Sequence, residues 1–359
     1  MAKVLLVHPD FSRLGGIESY FLKIKPHLTI AHESCGNSQR PGEKGAFLRI
    51  KRILGDYLNF WRKVSRAEIT HVHLNTSLQP KMFYRDCIFF FLAKIHGKKT
   101  LVFLHGWDTR FQQKLETKQG RVFRLLYGRA NAFIVLASAF AETLRNWGIT
   151  QAIYEEVIVI EDEVFNKIQL DEMLQQRKQA AVKQLLFPSR LMRAKGIITT
   201  IRALELVQKN RADVGLIVAG DGEDSDAARQ LVKDLQLRHT RFTGIVSGDQ
   251  KYKLFEQAHL LCFPTEHSEG FPNTIVEAMS FGLPVITRPV GGIKDFFING
   301  KHGFISDSVE PEVFARLIEQ ALEDSNLYTS MAGANHRYAA EHFLASQAAK
   351  RLENIYQQL

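Results

Sequence analysis

The stretch FPTEHSEGFPNTIVEAMSFGLPVITRPVGG, residues 263–292, decides the fold class. An apolar run ends at Pro264, and a polar turn leads to a helical pattern that begins around Pro272, because proline is tolerated in a first helical turn but not in a helix interior. The helix is expected to stop at Gly282, and a second apolar run, 284–287, follows at once. This strand, helix and strand order is typical of a parallel α/β sheet.

Two carboxylates in this stretch predict a ligand site. Glu269 and Glu277 stand eight positions apart, which in one continuous helix would be a rise of about 12 Å, too far for both to bind one group. Pro272 places Glu269 in the loop before the helix and Glu277 within it, so the two can bind opposite ends of one elongated ligand. The free N–H groups of the first turn favour a phosphate between them.

The composition limits the class of protein. With 359 residues and 45% hydrophobic content, the chain is long enough for two domains. The apolar run Cys87–Ala93 is far shorter than the roughly 20 residues that a membrane span requires. The N-terminus does not resemble a signal peptide, and three scattered cysteines suggest neither a disulfide framework nor a metal knot. These features predict a cytoplasmic protein.

The net charge of +9 is unevenly distributed. Residues 1–165 contain 24 Lys and Arg against 15 Asp and Glu, whereas residues 166–359 contain 23 of each. A basic first half predicts an anionic partner, such as a membrane surface, a lipid phosphate or a nucleic acid. Ordinary solubilising charge is the alternative interpretation.

The first half offers two further candidate sites. Residues 3–8 (KVLLVH) predict a buried strand, and Gly15 and Gly16 follow at a turn into a helix. Paired glycines there let backbone approach a phosphate, although glycine also serves many turns through its φ angle alone. Another predicted strand, 100–104, ends at His105, and ligands of open α/β sheets bind beyond the carboxyl ends of strands.

The remaining pattern of the first half alternates between strands and helices. Strands are predicted at 69–74, 133–137 and 157–160, and the polar segment 32–45 predicts a surface loop. The helix predicted at 84–95 has a basic end, so it either lies on a membrane surface or packs on the sheet. The alternation indicates a doubly wound parallel sheet.

A second alternating series follows a polar connection at 161–183 and begins with a strand at 184–187. The loop after this strand contains Arg190 and Lys195, and two fixed cations at a strand's carboxyl end can neutralise a diphosphate. A solvated basic loop is the alternative. The chain ends in three helical segments.

Four motifs of this second half occur together, namely SRLMRAKG (189–196), AGDGE (219–223), FTGIVS (242–247) and EGFPNTIVEAMSFGLPVITRPVGG (269–292). They resemble the C-terminal domain of retaining glycosyltransferases of the GT-B fold, specifically glycosyltransferase family 4, also called group 1. The resemblance implies an α/β protein of two Rossmann-like doubly wound parallel-sheet domains that face each other across a cleft. Residues 1–165 would bind the acceptor, 166–345 the nucleotide sugar, and a helix at 346–359 would cross back to the N-terminal domain.

Residue by residue, the resemblance implies a donor site. Glu277 would accept hydrogen bonds from the ribose hydroxyls, and Glu269 would orient the hydroxyls of the sugar. Arg190 and Lys195 match the pair that stabilises the leaving diphosphate, and His105 matches a histidine near the anomeric centre. The other donor-binding residues lie in the glycine turn and around the start of the helix: Gly15, Gly16, Gly270, Phe271, Asn273 and Thr274.

The resemblance also implies a reaction. A sugar would pass, with retention of configuration, from a UDP- or GDP-linked donor to a lipid-linked or polysaccharide acceptor, as in lipopolysaccharide, O-antigen or capsule biosynthesis. We expect no cofactor and no metal, because no Asp-x-Asp pair follows a strand and the two cations already supply the charge. We expect the enzyme in the cytoplasm, in peripheral contact with the anionic inner face of the membrane, and we expect no nucleic-acid partner.

Two positions depart from the family pattern. Glu161-Asp162-Glu163 stands where many members have an Asn-Gly turn, and Ser189 stands where glycine is common. The alternatives are a GT-B nucleotide-sugar epimerase, which needs no acceptor surface, and a non-catalytic partner protein on a GT-B scaffold. The latter predicts loss of the cations or carboxylates, yet Arg190, Lys195, Glu269 and Glu277 are present.

Overall fold

The computed structural model describes residues 3–9, 15–37, 45–267 and 270–359. Its contacts divide the chain into two compact units. The first unit runs to Val159 and includes Gly270, Phe271 and Ala345–Leu359, and the second contains Ile160–His267 and Pro272–Leu344. Each unit holds one six-stranded parallel sheet, which confirms the predicted doubly wound α/β class.

The sheet of the first unit has the strand order β2-β1-β3-β4-β5-β6. Its central strands are buried on both faces by helices, which is why they read as continuous apolar runs. The strands are β1 Lys3–His8, β2 Ala31–Gly36, β3 Ile69–Leu78, β4 Lys99–Trp107, β5 Ala132–Val135 and β6 Ala152–Glu155. The helices before Val159 are α1 Gly16–Ile24, α2 Ala46–Val64, α3 Pro80–Ile95, α4 Thr109–Glu116, α5 Arg121–Tyr127 and α6 Ser138–Asn146.

The sheet of the second unit has the order β12-β11-β10-β7-β8-β9. Its strands are β7 Lys183–Pro188, β8 Val214–Ala219, β9 Thr240–Gly244, β10 Leu260–Phe263, β11 Val285–Thr287 and β12 Gly303–Ile305. Its helices are α7 Asp162–Phe165, α8 Leu170–Gln179, α9 Ile197–Asn210, α10 Ser225–Asp234, α11 Gly248–Gln257, α12 Asn273–Ser280, α13 Ile293–Phe296, α14 Pro311–Glu323 and α15 Ser325–His342.

The last helix, α16 Ala345–Gln358, belongs to the first unit. Its Glu353 carboxylate accepts hydrogen bonds from the backbone N–H of Ile30 at 2.8 Å and from the hydroxyl of Thr29 at 3.0 Å. Arg351 pairs with the buried carboxylate of Glu156 through its Nε, 3.1 Å from Oε2. These contacts fix α16 beside α1 and the end of β6.

Two sequence predictions in the first unit are wrong, and both concern edge strands. The run 157–160 forms no strand and instead follows β6 as a largely buried connection, while 32–36 forms most of β2 rather than a loop. Both β2 and β6 lie at an edge of the sheet, so all of their residues except Cys35 are at least partly exposed, and about half of them are polar. They therefore lack the apolar signature of a buried strand.

The helix predicted at 84–95 begins earlier, at Pro80, and packs on the sheet through Phe83, Phe89 and Phe90. Within the described ranges, no helix is long and apolar enough to cross a membrane.

Arg177 joins two helices of the second unit. This side chain is only 3% exposed, and its guanidinium donates to the carbonyl oxygens of Phe255 at 3.0 Å, Glu256 at 3.2 Å and Phe281 at 3.0 Å. The first two carbonyls belong to the last turn of α11, and the third belongs to Phe281, the C-cap residue of α12. A cation suits both helix ends because the helix dipole is negative there.

We predict that Arg177→Met lowers the free energy of unfolding by about 3 kcal/mol or more, because buried carbonyls left without a donor cost roughly 1–3 kcal/mol each. Urea denaturation of the purified protein measures this change. Arg202→Met, which removes an exposed arginine of α9, is the matched control and should stay within about 0.5 kcal/mol of the parent. Equal stabilities for the two variants would contradict the capping role.

Candidate functional site

The strand order of the second unit defines where a ligand can bind. Strand β7 lies between β8 and β10, so the chain continues from β7 to β8 and β9 on one side and then crosses to β10 on the other side. Ligands of open α/β sheets bind at such a switch point, beyond the carboxyl ends of the strands. The loop with Arg190 and Lys195 follows β7, and the loop with Pro264 and Thr265 follows β10. The two loops are joined because the carbonyl of Ala194 accepts the N–H groups of Glu266 and His267 at 2.8 and 2.9 Å.

A cavity of about 310 Å³ opens at this edge of the sheet. The loops after β7, β8 and β9 and the first turn of α11 form its walls. Its lining residues are Pro188, Ser189, Arg190, Ala219, Gly220, Asp221, Ile245, Val246 and Lys251. Three of the four recognised motifs therefore meet in one cavity.

The glycine turn after β8 fixes the cation loop after β7. Gly220 has a φ of +149°, and a Cβ there would lie 2.0 Å from the carbonyl oxygen of Ser189. A Cβ at Gly222 would lie 2.4 Å from the carbonyl oxygen of Leu191. Only glycine permits this close approach of two backbones. In return, the N–H of Leu191 donates to the carbonyl of Asp221 at 3.1 Å, so the two turns hold each other.

The cations of this loop differ in their surroundings. Arg193 is already committed, because its guanidinium lies 3.6 Å from Asp224 and its N–H donates to the same carboxylate. Arg190 is exposed and, within the described part of the chain, forms no ion pair with a carboxylate. Lys195 is half-buried, with its ammonium 5.9 Å from the ring centre of Phe263. Arg190 is therefore placed to bind an anion, and Lys195, the other predicted cation, lies in the same loop.

Glu277 is buried in α12, at 3% exposure, and each of its oxygens has a different environment. Its Oε1 accepts a hydrogen bond from the ammonium of Lys251 at 2.6 Å. Its Oε2 is also buried but has no hydrogen-bond partner among the described residues. A buried carboxylate oxygen without a donor is costly, so it is suited to receive a donor from a ligand.

Lys251, which lines the cavity and donates a hydrogen bond to Glu277, was not among the predicted site residues. It lies in the first turns of α11, where the helix dipole disfavours a cation. This unfavourable placement of a cation was the signal by which the sequence could have indicated Lys251 as a site residue. The start of α12 lies close by, since the hydroxyl of Thr274 donates to the carbonyl of Pro188 at 3.0 Å. Asn273 is the first residue of that helix.

The structure also gives the unusual Glu161 a partner within the second unit. The hydroxyl of Tyr252 donates to Oε2 of Glu161 at 3.0 Å. Burial and the neighbouring carboxylates of Glu161 and Glu277 raise the pKa of Tyr252. Tyr252 is therefore a neutral hydrogen-bond donor at all physiological pH values.

In the first unit, His105 lies near the carboxyl end of β4 and has a defined orientation. Its Nε2 lies 2.9 Å from Oδ1 of Asn75, and the amide of Asn75 donates to the carbonyl of Val7 at 3.0 Å. Because the amide nitrogen is thus assigned, Oδ1 is an acceptor and Nε2 of His105 carries the proton. The Nδ1 atom is buried and, among described residues, has no hydrogen-bond partner. Burial, assisted by His73, holds the pKa of His105 well below its usual value.

The neutral imidazole of His105 can therefore accept a hydrogen bond through Nδ1, for example from a hydroxyl. Its ring is fixed by Phe103, whose ring centre lies 3.6 Å away, and by Tyr20 of α1 at 5.4 Å. Sequence analysis missed Asn75, which is fully buried in β3. A polar residue within a buried strand was the signal that could have found it.

The glycines predicted to bind a phosphate lie in the first unit. The N–H of Gly15 donates to the carboxylate of Glu18 at 3.1 Å, so this group already has an acceptor. Gly16 begins α1, and a Cβ there would meet nothing within 4 Å. A Cβ at Gly270 would lie 3.2 Å from the carbonyl oxygen of His105, and Phe271 is 8% exposed. Glu269 lies outside the described residues.

The structure thus groups Arg190, Lys195, Thr274 and Glu277 at one edge of the second unit's sheet, and it groups α1 with His105 in the first unit. Comparison with known proteins concerns the former group. Residues 171–337 match the family model of glycosyl transferases group 1. The match covers 167 of the chain's 359 residues, a little under half.

Relatives in sequence match more of the chain than the family model does. The chain is 29% identical over 175 residues to the uncharacterized glycosyltransferase MJ1607 of Methanocaldococcus jannaschii, which covers 48% of this chain and 44% of that protein. It is 26% identical over 258 residues to the capsular polysaccharide biosynthesis glycosyltransferase CapM of Staphylococcus aureus, which covers 68% of this chain and 67% of that protein. The match therefore spans less than half of MJ1607.

Solved structures share the fold along the whole chain. Anabaena Alr3699/HepE, crystallised in complex with UDP, gives a TM-score of 0.76 at 19% identity and covers 99% of this chain and 100% of its own. Sucrose-phosphate synthase from Thermosynechococcus elongatus gives 0.73 at 15% identity and covers 100% and 99%. With the two six-stranded sheets, this likeness confirms the predicted pair of Rossmann-like domains of the GT-B fold.

The buried histidines of the first unit predict a pH dependence of stability. Burial lowers the pKa of His73 to about 3, and that of His105 also lies well below its ordinary value. Both are neutral when folded, and only the unfolded chain gains their protons in mildly acidic solution. Their contribution to stability is therefore complete above about pH 6.5 and falls below it, by up to about 1.4 kcal/mol per pH unit for each histidine.

We predict that His73→Gln lowers the slope of the unfolding free energy against pH by up to about 1.4 kcal/mol per pH unit between about pH 7 and pH 5. Urea denaturation at several pH values measures this slope. His342→Gln removes a half-exposed histidine and should retain the parental slope. A parental slope in His73→Gln would show that His73 does not stay neutral in the fold.

Proposed function

We propose that the protein is a retaining glycosyltransferase that transfers a sugar from a nucleotide-sugar donor to a lipid-linked or polysaccharide acceptor. The observation that carries the proposal is Glu277, a buried carboxylate with one oxygen on Lys251 and the other without a partner among the described residues. It stands at the edge of the sheet where Lys251 and Arg190 line a cavity. A ligand with a hydroxyl for the carboxylate and an anion for the cations fits this arrangement, and a nucleoside diphosphate has both.

In this proposal, Oε2 of Glu277 accepts a ribose hydroxyl, and Arg190 and Lys195 bind the diphosphate. The loop and first turn at Gly270, Phe271, Asn273 and Thr274 approach the phosphates and sugar, while Glu269 orients the sugar. The donor is UDP- or GDP-linked. Support for UDP comes from Alr3699/HepE, whose structures hold UDP, UDP with glucose, and UDP-glucose.

The chemistry follows from where charge develops. Negative charge grows on the diphosphate as the glycosidic bond breaks, so cations fixed beside it stabilise the transition state more than the bound donor. The departing phosphate deprotonates the acceptor hydroxyl on the same face of the sugar, which gives retention. His105 accepts a hydroxyl of the sugar through Nδ1, and Gly15-Gly16 closes on the diphosphate. With two cations on the leaving group, the reaction needs neither a metal nor a cofactor.

The acceptor is a glycan or lipid-linked glycan of the cell surface, at the cytoplasmic face of the membrane. Similarity to CapM supports a role in polysaccharide synthesis. The net positive charge of the first 165 residues supports contact with an anionic lipid surface.

A panel of UDP-, GDP- and ADP-sugars tests the function. The protein is incubated with each donor, with and without a lipid-linked acceptor mixture, and release of nucleoside diphosphate is followed by chromatography. We expect release from one donor, and its enhancement by an acceptor. Conversion of the donor to its epimer without an acceptor would establish the epimerase, and binding without any turnover would establish the non-catalytic protein.

Two site variants separate donor binding from turnover. We predict that Glu277→Ala weakens donor binding, measured by calorimetry, because the ribose loses its acceptor. Lys195→Ala should lower kcat by about 10²-fold or more, as loss of a transition-state donor does. Near-normal kinetics in both variants would refute the assigned roles.

Lys251 provides a third test, because it is expected to position Glu277. Lys251→Met keeps much of the side chain's volume but leaves Oε1 of Glu277 buried without its donor. We predict about tenfold or greater loss of donor affinity, equivalent to the roughly 1.4 kcal/mol that one misplaced hydrogen bond costs. Lys253→Met, at an exposed position of the same helix, is the control and should bind donor normally. Equal affinities would exclude Lys251 from the site.

A further inference from the structure

Helix α2 exposes a stripe of large apolar side chains to solvent. The stripe consists of Phe47, Ile50, Leu54, Leu58 and Trp61, which are 77, 57, 63, 50 and 45% exposed. Their spacing of three, four, four and three residues places them along one side of the helix. The buried residues Phe60 and Val64 lie beside this stripe on the helix. The apolar face of α2 is therefore wider than the part that the fold buries.

The neighbouring helix α3 extends this face. Its Tyr84, Ile88, Phe91 and Ile95 are 51, 41, 42 and 70% exposed, again at helical spacing. The two helices pack together through Tyr57 and Phe89, with ring centres 4.8 Å apart. Trp61 also meets His96, the residue after Ile95, at 5.0 Å. We call the two exposed stripes together the α2–α3 surface.

The charges around the α2–α3 surface are of one sign. The acidic residues of these helices, Asp56 and Asp86, are buried and paired with Arg52 at 2.8 Å and Arg85 at 2.6 Å. Four exposed cations remain that form no ion pair within the described part of the chain: Arg49, Lys51, Arg62 and Lys81. On the helix surface, Lys51 and Arg62 lie beside the apolar stripe of α2, and Lys81 lies beside that of α3.

This charge pattern favours one kind of partner for the α2–α3 surface. A second copy of the chain would bring the same cations to the interface, where like charges oppose association. An anionic bilayer offers a complementary charge, and its interfacial region accepts aromatic and aliphatic side chains. Since an α-helix rises about 1.5 Å per residue, the stripe from Phe47 to Trp61 would lie some 21 Å along the membrane plane.

We infer that the α2–α3 surface docks on an anionic lipid bilayer, with α2 lying parallel to the membrane in the headgroup region. The apolar stripe enters the boundary between headgroups and acyl chains, and the cations contact lipid phosphates. This gives the membrane contact of the proposed function a defined surface. It rests on that proposed location but not on the transfer reaction, because lipid binding is measured without donor or acceptor.

Trp61 provides a direct readout. The chain has three tryptophans, and the other two, Trp107 and Trp147, are only 4 and 3% exposed. Insertion of the stripe should shift the emission of Trp61 to shorter wavelength, and brominated acyl chains should quench it. Trp61→Phe should lose this signal while still sedimenting with vesicles.

The test compares vesicles of phosphatidylcholine containing phosphatidylglycerol with pure phosphatidylcholine at low and high salt. We expect binding to the anionic vesicles that weakens as salt rises. Leu54→Gln/Leu58→Gln should lower the partition coefficient by about tenfold or more, because each leucine loses part of its burial energy. Lys51→Gln/Arg62→Gln should lower it by about tenfold or more on anionic vesicles only, since each cation near the surface contributes about 1 kcal/mol.

Leu125→Gln, at a 76% exposed leucine of α5, is the matched control and should bind like the parent. Circular dichroism confirms that each variant is folded. Failure of the folded parent to bind anionic vesicles at low salt would overturn the inference, as would parental binding by either double variant. Self-association that Leu54→Gln/Leu58→Gln abolishes, without vesicle binding, would assign the surface to a second copy instead. Absence of glycosyl transfer with intact vesicle binding would refute only the proposed function.

Discussion

The candidate donor site depends on the buried guanidinium of Arg177. This group holds the carboxyl ends of α11 and α12 together through their last carbonyls. One of these helices carries Lys251 and the other Glu277, so the 2.6 Å ion pair at the cavity is positioned by hydrogen bonds at the far ends of both helices. A buried carboxylate needs such fixed geometry, because its desolvation is compensated only when its partner stays in place. Arg177 therefore supports the site without facing the cavity.

Much of this architecture could be predicted from the sequence, because buried parallel strands are apolar on both faces. The runs that became β1, β4 and β8 were recognised for this reason. Edge strands β2 and β6 were not, since polar side chains suffice where a strand is exposed. No prediction covered helix α2, although its apolar residues share one side of the helix and most of its charged residues lie on the other.

The prediction of the site residues from the sequence was incomplete for a related reason. Motifs along the chain indicated Arg190, Lys195 and Glu277, because their residue types recur at characteristic positions. Lys251 and Asn75 were not indicated, since each acts on a partner distant in sequence: Lys251 on Glu277 and Asn75 on His105. Neither pairing leaves a local pattern. Only the packing of α11 against the site, or of β3 beside β4, brings the partners together.

The close backbone contact between Gly220 and Ser189 makes one wall of the cavity rigid, while the residues of another wall can change. No side chain can be placed at 220 without displacing the cation loop. Ile245 and Val246 line the same cavity from the loop after β9, and Ile245 is 81% exposed. In the proposed donor site, a change of nucleotide preference would therefore arise at residues 245 and 246, while the diphosphate contacts stay constant. The two requirements of the proposed donor would thus be met by different walls of one cavity.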